Sequence, residues 1–210
     1  MLKIAHRGYS HKYGDNTKES FLQACQSDFD MIELDIQLCA DKEIVIYHDT
    51  YFLSKLIKDH TLSDCKKHGL LFLSEFFTFI DTNKIKVYLD LKGDNDLSHE
   101  VISFLKEGNY NLQNIYVASF NKQHVDILKE SKLPIQIGFT TQTKYTIDDL
   151  KLLKKNINFI CLHWTALNKE NIEYLHKQSI QVFTYTATDY FTLNYMREFK
   201  VDGIVTNFMF

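Results

Sequence analysis

Short runs of β-branched and aromatic residues recur along the chain. They fall at Leu2 to Ala5, Met31 to Ile36, Ile44 to Tyr47, Lys86 to Leu91, Asn114 to Ala118, Ile135 to Phe139, Asn158 to Leu162, Ile180 to Tyr185 and Gly203 to Thr206. Each has the length and composition of a single buried strand. Most of the segments between them keep apolar residues three and four apart, the spacing of one helix face. Asn16 or Thr17 can cap a helix over Lys18 to Gln26, with Phe21, Leu22 and Cys25 on one face, and Ser74-Glu75-Phe76-Phe77 opens another. Leu97, Val101, Ile102 and Leu105 mark a helix over Asp96 to Glu107, which Gly108 is placed to end in the left-handed conformation. Asn121 begins the next, through Val125 and Leu128, and Asp148 to Lys155, Lys169 to Lys177 and Asp189 to Phe199 complete the series.

Counting Ile44 to Tyr47 into the second strand's unit leaves eight strands, the first seven each followed by a helical segment. That order predicts an α/β fold, a (β/α)8 TIM barrel. A doubly wound open sheet would carry a Gly-rich phosphate loop after an early strand, whereas the first turn here reads His6-Arg7-Gly8-Tyr9-Ser10. No linker rich in Pro, Gly or Ser interrupts the pattern, so residues 1–210 read as a single domain. Chemistry in such a barrel belongs at the C-terminal ends of the strands.

Composition narrows the partners. A chain of 210 residues, 45% of them hydrophobic, has enough core to fold without metal or disulfide staples. Its formal net charge of −3 lacks the basic excess that nucleic-acid binding needs, so small-molecule ligands are expected. No apolar run has the length of a secretion signal or of the ~20 residues of a membrane span, and the expected location is cytoplasmic. The four cysteines, at 25, 39, 65 and 161, have no metal-ligand spacing and are expected to be reduced and mostly buried. Arg7 and Arg197 are the only arginines, which draws attention to each.

Glu33 and Asp35 stand two apart in Met-Ile-Glu-Leu-Asp-Ile, so on a strand both carboxylates share a face while Ile32, Leu34 and Ile36 take the other. Two acids hemmed in by apolar residues need a cation. Without a Cys/His cluster to favour zinc, one hard divalent ion, Mg²⁺ or Ca²⁺, is the natural partner. Asp90 and Lys92 repeat the spacing in Val-Tyr-Leu-Asp-Leu-Lys; in a barrel Asp90 can supply a third oxygen and Lys92 points at whatever the metal holds. His6 and His48 each end a strand-like run beside this acidic site and suit an acid and base pair, since imidazole titrates near neutrality. Arg7 can clamp a phosphate oxygen. Three carboxylates, one divalent cation, Arg7, Lys92 and a phosphodiester monoanion balance to zero charge.

His-Arg-Gly at 6 to 8, Asp-Asn-Thr at 15 to 17, Glu-Leu-Asp at 33 to 35, His-Asp at 48 to 49 and Leu-Asp-Leu-Lys at 89 to 92 follow one another in an order that resembles the glycerophosphodiester phosphodiesterase family. The likeness continues through Ala-Ser-Phe-Asn at 118 to 121 and Val-Asp-Gly-Ile-Val-Thr at 201 to 206. The resemblance implies a metal-dependent phosphodiesterase of TIM-barrel fold that hydrolyses glycerophosphodiesters to sn-glycerol 3-phosphate and an alcohol. It implies Glu33, Asp35 and Asp90 as metal ligands, His6 and His48 as general acid and base, Arg7 and Lys92 on the phosphate, and Asn16 ordering the site. In mechanisms proposed for the family, the neighbouring glycerol hydroxyl attacks phosphorus and a cyclic phosphate is then opened by water.

The chain departs from the family pattern in places. Asp15-Asn16-Thr17 stands for Glu-Asn-Thr, and Asp90 for a Glu. Thr-Tyr-Phe-Leu-Ser-Lys-Leu follows His48-Asp49 in place of Arg-Thr-Thr, Phe183-Thr184 stands for Trp-Thr, and Asn207-Phe208-Met209 for Asp-x-Pro. The last three bear on the alcohol side of the pocket. Trp164, ending the sixth strand, is a candidate wall for a glycerol or lipid-like group, and Tyr185 is similar. Ser119 reads equally as a substrate contact or as a helix cap. The lysines at 144, 151, 154 and 155 read as a solvated helix face, and His11, His60, His68, His99, His124 and His176 as surface. Two rival functions remain: phospholipase D-like cleavage of lysolipids or sphingolipids, and a barrel that binds phosphate ligands without turnover. Eight units in this length leave about 26 residues each, near the lower limit of the fold. The barrel is therefore expected to be compact, with a short insertion at Thr50 to Leu71 and an open mouth.

Overall fold

The computed structural model describes residues 1–153 and 157–210. In chain order its strands are β1 (Leu2–Ala5), β2 (Met31–Leu38), β3 (Ile44–Ile46), β4 (Tyr51–Phe52), β5 (Lys55–Leu56), β6 (Leu71–Phe72), β7 (Lys86–Leu91), β8 (Ile115–Ser119), β9 (Gln136–Thr141), β10 (Phe159–His163), β11 (Gln181–Ala187) and β12 (Gly203–Thr206). The α-helices are α1 (Ser10–Tyr13), α2 (Lys18–Gln26), α3 (Leu62–Lys67), α4 (Leu73–Phe79), α5 (Asp96–Glu107), α6 (Lys122–Glu130), α7 (Ile147–Leu153), α8 (Lys169–Lys177) and α9 (Tyr190–Arg197). Eight strands form a closed parallel barrel in the order β1, β2, β7, β8, β9, β10, β11, β12, and β12 pairs back on β1 with Leu2 opposite Gly203 and Ala5 opposite Thr206. This is the expected (β/α)8 architecture.

Alternation along each strand divides the interior in two. Outward residues such as Ile32, Leu34, Leu89 and Val117 pack against Phe21, Phe76, Val101, Val125 and other helix residues in one continuous core. Inward residues Ile4, Met31, Tyr88, Tyr116, Phe159, Phe183 and Val205 fill the barrel axis. Phe159 packs on Phe183 at 5.0 Å and edge-on to Tyr88 at 5.4 Å. Gly138 gives that ring its room, because a Cβ there would run into Phe159. The aromatic plug forms a floor, so inward polar residues collect above it at the C-terminal mouth.

Local signals explain most helix starts. Thr17 Oγ1 accepts from Ser20 N at 3.0 Å while Ser20 Oγ accepts from Thr17 N at 3.2 Å. Glu75 Oε2 accepts from Phe72 N to open α4, and Asn121 Oδ1 accepts from Gln123 N to open α6. β3 stays outside the ring, returning antiparallel on β2 with Ile46 opposite Ile36 and taking β6 on its other edge. The segment from Thr50 to Leu71 folds as the β4–β5 hairpin and α3 over a small core of Cys39, Val45, Ile57, Cys65 and Phe72.

Some expectations change. Gly108 is extended, at φ −87° and ψ 161°, and is required because a side chain there would overlap the Tyr110 ring. In α2 the buried stripe is Ser20, Phe21 and Ala24, and Cys25 is exposed, whereas the other three cysteines are buried as expected. His60 and His124 are buried rather than on the surface: His60 Nε2 donates to Phe52 O at 2.7 Å, and His124 Nδ1 lies 3.0 Å from Ser119 Oγ. Lys144 and Lys151 are exposed, while Lys154 and Lys155 lie outside the described residues. No helix among the described residues is long and apolar enough to cross a membrane.

Candidate active site

Above β1 the chain turns through His6, Arg7 and Gly8, with Arg7 at φ 54° and Gly8 at φ 80°. A left-handed arginine is strained and needs the surroundings to hold it. They do so on both of its peptide groups: Arg7 N donates to Glu33 Oε2 at 2.9 Å, while Arg7 O accepts from Asn16 N at 2.9 Å and from Ser20 Oγ at 3.1 Å. The turn presses Gly8 against α2, where a Cβ would strike Ser20 Oγ and sit 2.8 Å from the Ser20 carbonyl carbon. The outcome is a guanidinium folded over the acids, with Nε 3.0 Å from Asp35 Oδ2 and Nη1 donating to Asp15 Oδ2 at 2.7 Å.

Strand register gathers the carboxylates. Asp35 pairs with Asp90 across β2 and β7, and Glu33 lies one inward step below Asp35. All three are buried, and one carboxylate oxygen from each lies within 4.8 Å of the others. Lys92 Nζ sits 2.5 Å from Asp90 Oδ2 and 3.3 Å from Asp35 Oδ1. Asn16, itself left-handed at φ 55°, donates from Nδ2 to Asp35 Oδ2 at 3.2 Å.

Burial pushes the Glu33 carboxyl well above its usual range, and repulsion from Asp35 and Asp90 adds to it. Burial also raises Asp90, against the pull of Lys92. At Asp35 burial works in the same direction, but the Lys92 ammonium and the Arg7 guanidinium outweigh it and hold this carboxyl below its usual value. Two protein cations thus leave the three acids undercompensated. Asp90 Oδ1 is moreover buried without a hydrogen-bond partner among the described residues. An oxygen-only donor set with surplus negative charge and an open acceptor fits a hard divalent cation such as Mg²⁺ or Ca²⁺.

His6 Nδ1 donates to Asn207 Oδ1 at 2.6 Å, which leaves Nε2 with its lone pair. Burial, with the Arg7 charge, lowers the His6 pKa to about 4, although Asn207 works against the shift. His48 follows β3; its side chain is 42% exposed and its Nδ1 donates to Asp49 Oδ1 at 2.7 Å. Gln37 fixes that turn by donating from Nε2 to Tyr47 O and Asp49 O, both at 2.8 Å.

These groups line one cavity of about 160 Å³ at the mouth of the barrel. It brings together His6, Arg7, Glu33, Asp35, His48, Asp90 and Lys92, with Asn16 one hydrogen bond behind them. Trp164 is not among the lining residues: its ring packs edge-on against Tyr195 of α9 at 5.8 Å. Ser119 faces away from the axis, donating to Leu91 O and accepting from Asn121 N, so its role is in the strand-to-helix turn. Phe183 lies inside the barrel plug, and Tyr185, two residues on, is the β11 ring that reaches the cleft. Phe120 and Thr140, which sequence reasoning missed, also line it. Phe120 continues the inward alternation of Tyr116 and Ala118, and that periodicity was the available signal.

Comparison with known proteins gives a consistent picture. The model of the glycerophosphoryl diester phosphodiesterase family matches residues 6–209. A glycerophosphodiester phosphodiesterase from Caldanaerobacter subterraneus subsp. tengcongensis is 26% identical over 228 residues, covering 98% of this chain and 93% of that one. The crystal structure of a glycerophosphodiester phosphodiesterase from Thermotoga maritima superposes with a TM-score of 0.83 at 25% identity, covering 99% of this chain and 94% of that one. A phosphodiesterase from Oleispira antarctica, solved in complex with the product sn-glycerol-3-phosphate, shares the fold with a TM-score of 0.86 at 20% identity, covering 99% and 93%.

Proposed function

The chain belongs to the glycerophosphoryl diester phosphodiesterase family, and we propose that its barrel-mouth cleft hydrolyses glycerophosphodiesters to sn-glycerol 3-phosphate and an alcohol, using one divalent cation and the pair His6 and His48. The observation that carries this reading is the convergence of three buried carboxylates, two cations and two imidazoles on one cavity. Glu33, Asp35 and Asp90 would hold Mg²⁺ or Ca²⁺. When bound, such an ion supplies Lewis-acid activation and a template for hydroxyl and phosphate oxygens.

The remaining roles follow from the chain's own groups. His6 is unprotonated at neutral pH, and with Nδ1–H fixed on Asn207 its Nε2 can take the proton of the attacking hydroxyl. His48 stands on the solvent side of the cleft, oriented by Asp49, where it can give a proton to the departing alcohol. Arg7 and Lys92 meet the phosphate's charge from two sides, each already anchored on Asp35. Asn16 keeps Asp35 turned toward Arg7 and Lys92. The substrate is a small molecule, and the reading assigns the enzyme to cytoplasmic lipid and glycerol metabolism.

The test is incubation with glycerophosphocholine and Mg²⁺ or Ca²⁺, following release of sn-glycerol 3-phosphate by the wild type and by His6→Ala. Metal-dependent release that the substitution abolishes is expected. Full activity in EDTA or in His6→Ala would overturn the mechanism. Absence of glycerol 3-phosphate together with turnover of lysophosphatidylcholine would move the enzyme to phospholipase D-like chemistry.

A further inference from the structure

Tyr185 stands where β11 carries one residue more than β12, the register slipping between Thr184 and Ala187. A bulge of this kind re-aims a side chain without disturbing the strand below it. The ring is held edge-on against Phe120 at 6.0 Å and against His163 at 5.3 Å, and the residue lines the cleft. That hydroxyl is buried and has no hydrogen-bond partner among the described residues. Leaving a phenol buried and unpaired is costly, and at the wall of a cleft that favours a partner from outside the chain. The neighbouring Thr140 hydroxyl is already engaged, 3.0 Å from the Tyr88 oxygen.

The position of Tyr185 says what the partner is. β11 lies four strands from β7 around the ring of eight, so Tyr185 faces Asp90 and Lys92 across the barrel. The charged groups for metal and phosphate, Arg7, Glu33, Asp35, Asp90 and Lys92, sit on β2, β7 and the turn after β1. The Tyr185 side is aromatic and has no carboxylate, with Phe120 46% exposed beside it and Lys92 Nζ reaching to 5.2 Å from the centre of the Phe120 ring. A polyol has C–H faces for a ring and hydroxyls that both donate and accept, which a phenol answers in kind. Given the glycerophosphodiesterase reading, on which this inference rests, the group that fits is the glycerol moiety.

We propose that the Tyr185 hydroxyl hydrogen-bonds the glycerol hydroxyl that does not attack phosphorus, making Tyr185 a specificity-determining residue for glycerol diesters over diesters of diols that lack that hydroxyl. A site built to pair with a substrate hydroxyl disfavours the analogue that lacks it, because its own polar group is then left unpaired.

The experiment compares kcat/KM for glycerophosphocholine and for the phosphocholine diester of propane-1,2-diol, which lacks only the terminal hydroxyl, in the wild type and in Tyr185→Phe. The wild type is expected to favour the glycerol diester by about tenfold, the size of one neutral hydrogen bond. In Tyr185→Phe that ratio is expected to fall to within about twofold of unity through a loss on the glycerol diester. A wild type without the preference overturns the proposal with no need of a variant. Equal losses on both diesters overturn it too, since they would mark a phosphate contact or a displaced ring, as does an unchanged ratio in a variant that melts with the wild type. A wild type inactive on glycerophosphocholine while turning over another phosphodiester would instead sink the functional reading.

Discussion

His6 and Asn207, 201 residues apart, meet across the seam that closes the barrel, with Nδ1–H of the imidazole donating to Oδ1 of the amide at 2.6 Å. The contact depends on β1 and β12 pairing, since His6 N also bonds Thr206 O. A neutral amide fixes the tautomer without stabilising the imidazolium as a carboxylate would. Burial and the Arg7 charge therefore prevail, and the pKa stands near 4. Asn207→Asp places a negative charge on the Nδ1–H, so the His6 pKa should rise and the acid limb of kcat/KM should move to higher pH by about one unit or more. A pH–rate profile checks this; a limb that does not move would exclude His6 as the group it reports.

The acidic cluster predicts an unusual response to metal removal. In metal-free protein the folded Glu33 binds its proton more tightly than the unfolded chain does, first through burial and then through Asp35 and Asp90. The folded state thus holds the extra proton between the unfolded pKa and the raised one, so this group's contribution falls as pH rises through that window. Glu33→Gln should therefore melt above the wild type in EDTA at pH 8, and the gap should narrow toward pH 5. Millimolar Mg²⁺ or Ca²⁺ should raise the wild-type melting temperature and leave the variant nearly unmoved. Thermal melts over that grid decide it, and equal stabilisation of both proteins by the ion would remove Glu33 from the ligand set.

Much of this is legible in the amino-acid sequence alone. Period-two carboxylates at 33 and 35 and at 90 forced an inward acidic face, and alternating strand and helix signals forced the ring that places His6, His48 and Lys92 around it. Other features depend on contacts that no local pattern carries. Trp164 and Tyr185 both stand at the ends of strand-like runs, and only the bulge in β11 and the packing of Tyr195 decide which ring enters the cleft. Gly108 has the spacing of a left-handed cap, yet its small size makes room for Tyr110, whose ring packs on Phe104 and on the sequence-distant Phe77. His124 lies beside polar residues in sequence and is buried with its Nδ1 3.0 Å from Ser119 Oγ at the end of β8.

The Arg7–Gly8 turn makes a stability prediction. At φ 80°, and with the Ser20 carbonyl carbon 2.8 Å from any added Cβ, Gly8 cannot accept a side chain without moving α2 or the turn. Gly8→Ala should cost about 2–4 kcal/mol, combining left-handed strain with backbone overlap. Because the clash includes backbone, Ser20→Ala in the same chain should recover less than half of the loss. Urea unfolding of the single and double variants measures both, and a cost under 1 kcal/mol would show that the turn can relax.

Trp164 separates packing from substrate contact. Its ring meets His163 at 5.4 Å and Tyr195 at 5.8 Å and joins the core between barrel and helices, outside the lining of the acidic cleft. Loss of the ring should therefore act on stability: Trp164→Ala should destabilise by about 2–4 kcal/mol, the range for removing a large, partly buried aromatic. Trp164→Phe, which keeps most of the packing, should keep KM for glycerophosphocholine within about twofold of the wild type. The contrast with Tyr185→Phe makes the comparison sharp, since there the fold should stand while substrate choice changes. A tenfold rise in KM for Trp164→Phe at an unchanged melting temperature would put Trp164 on the substrate after all.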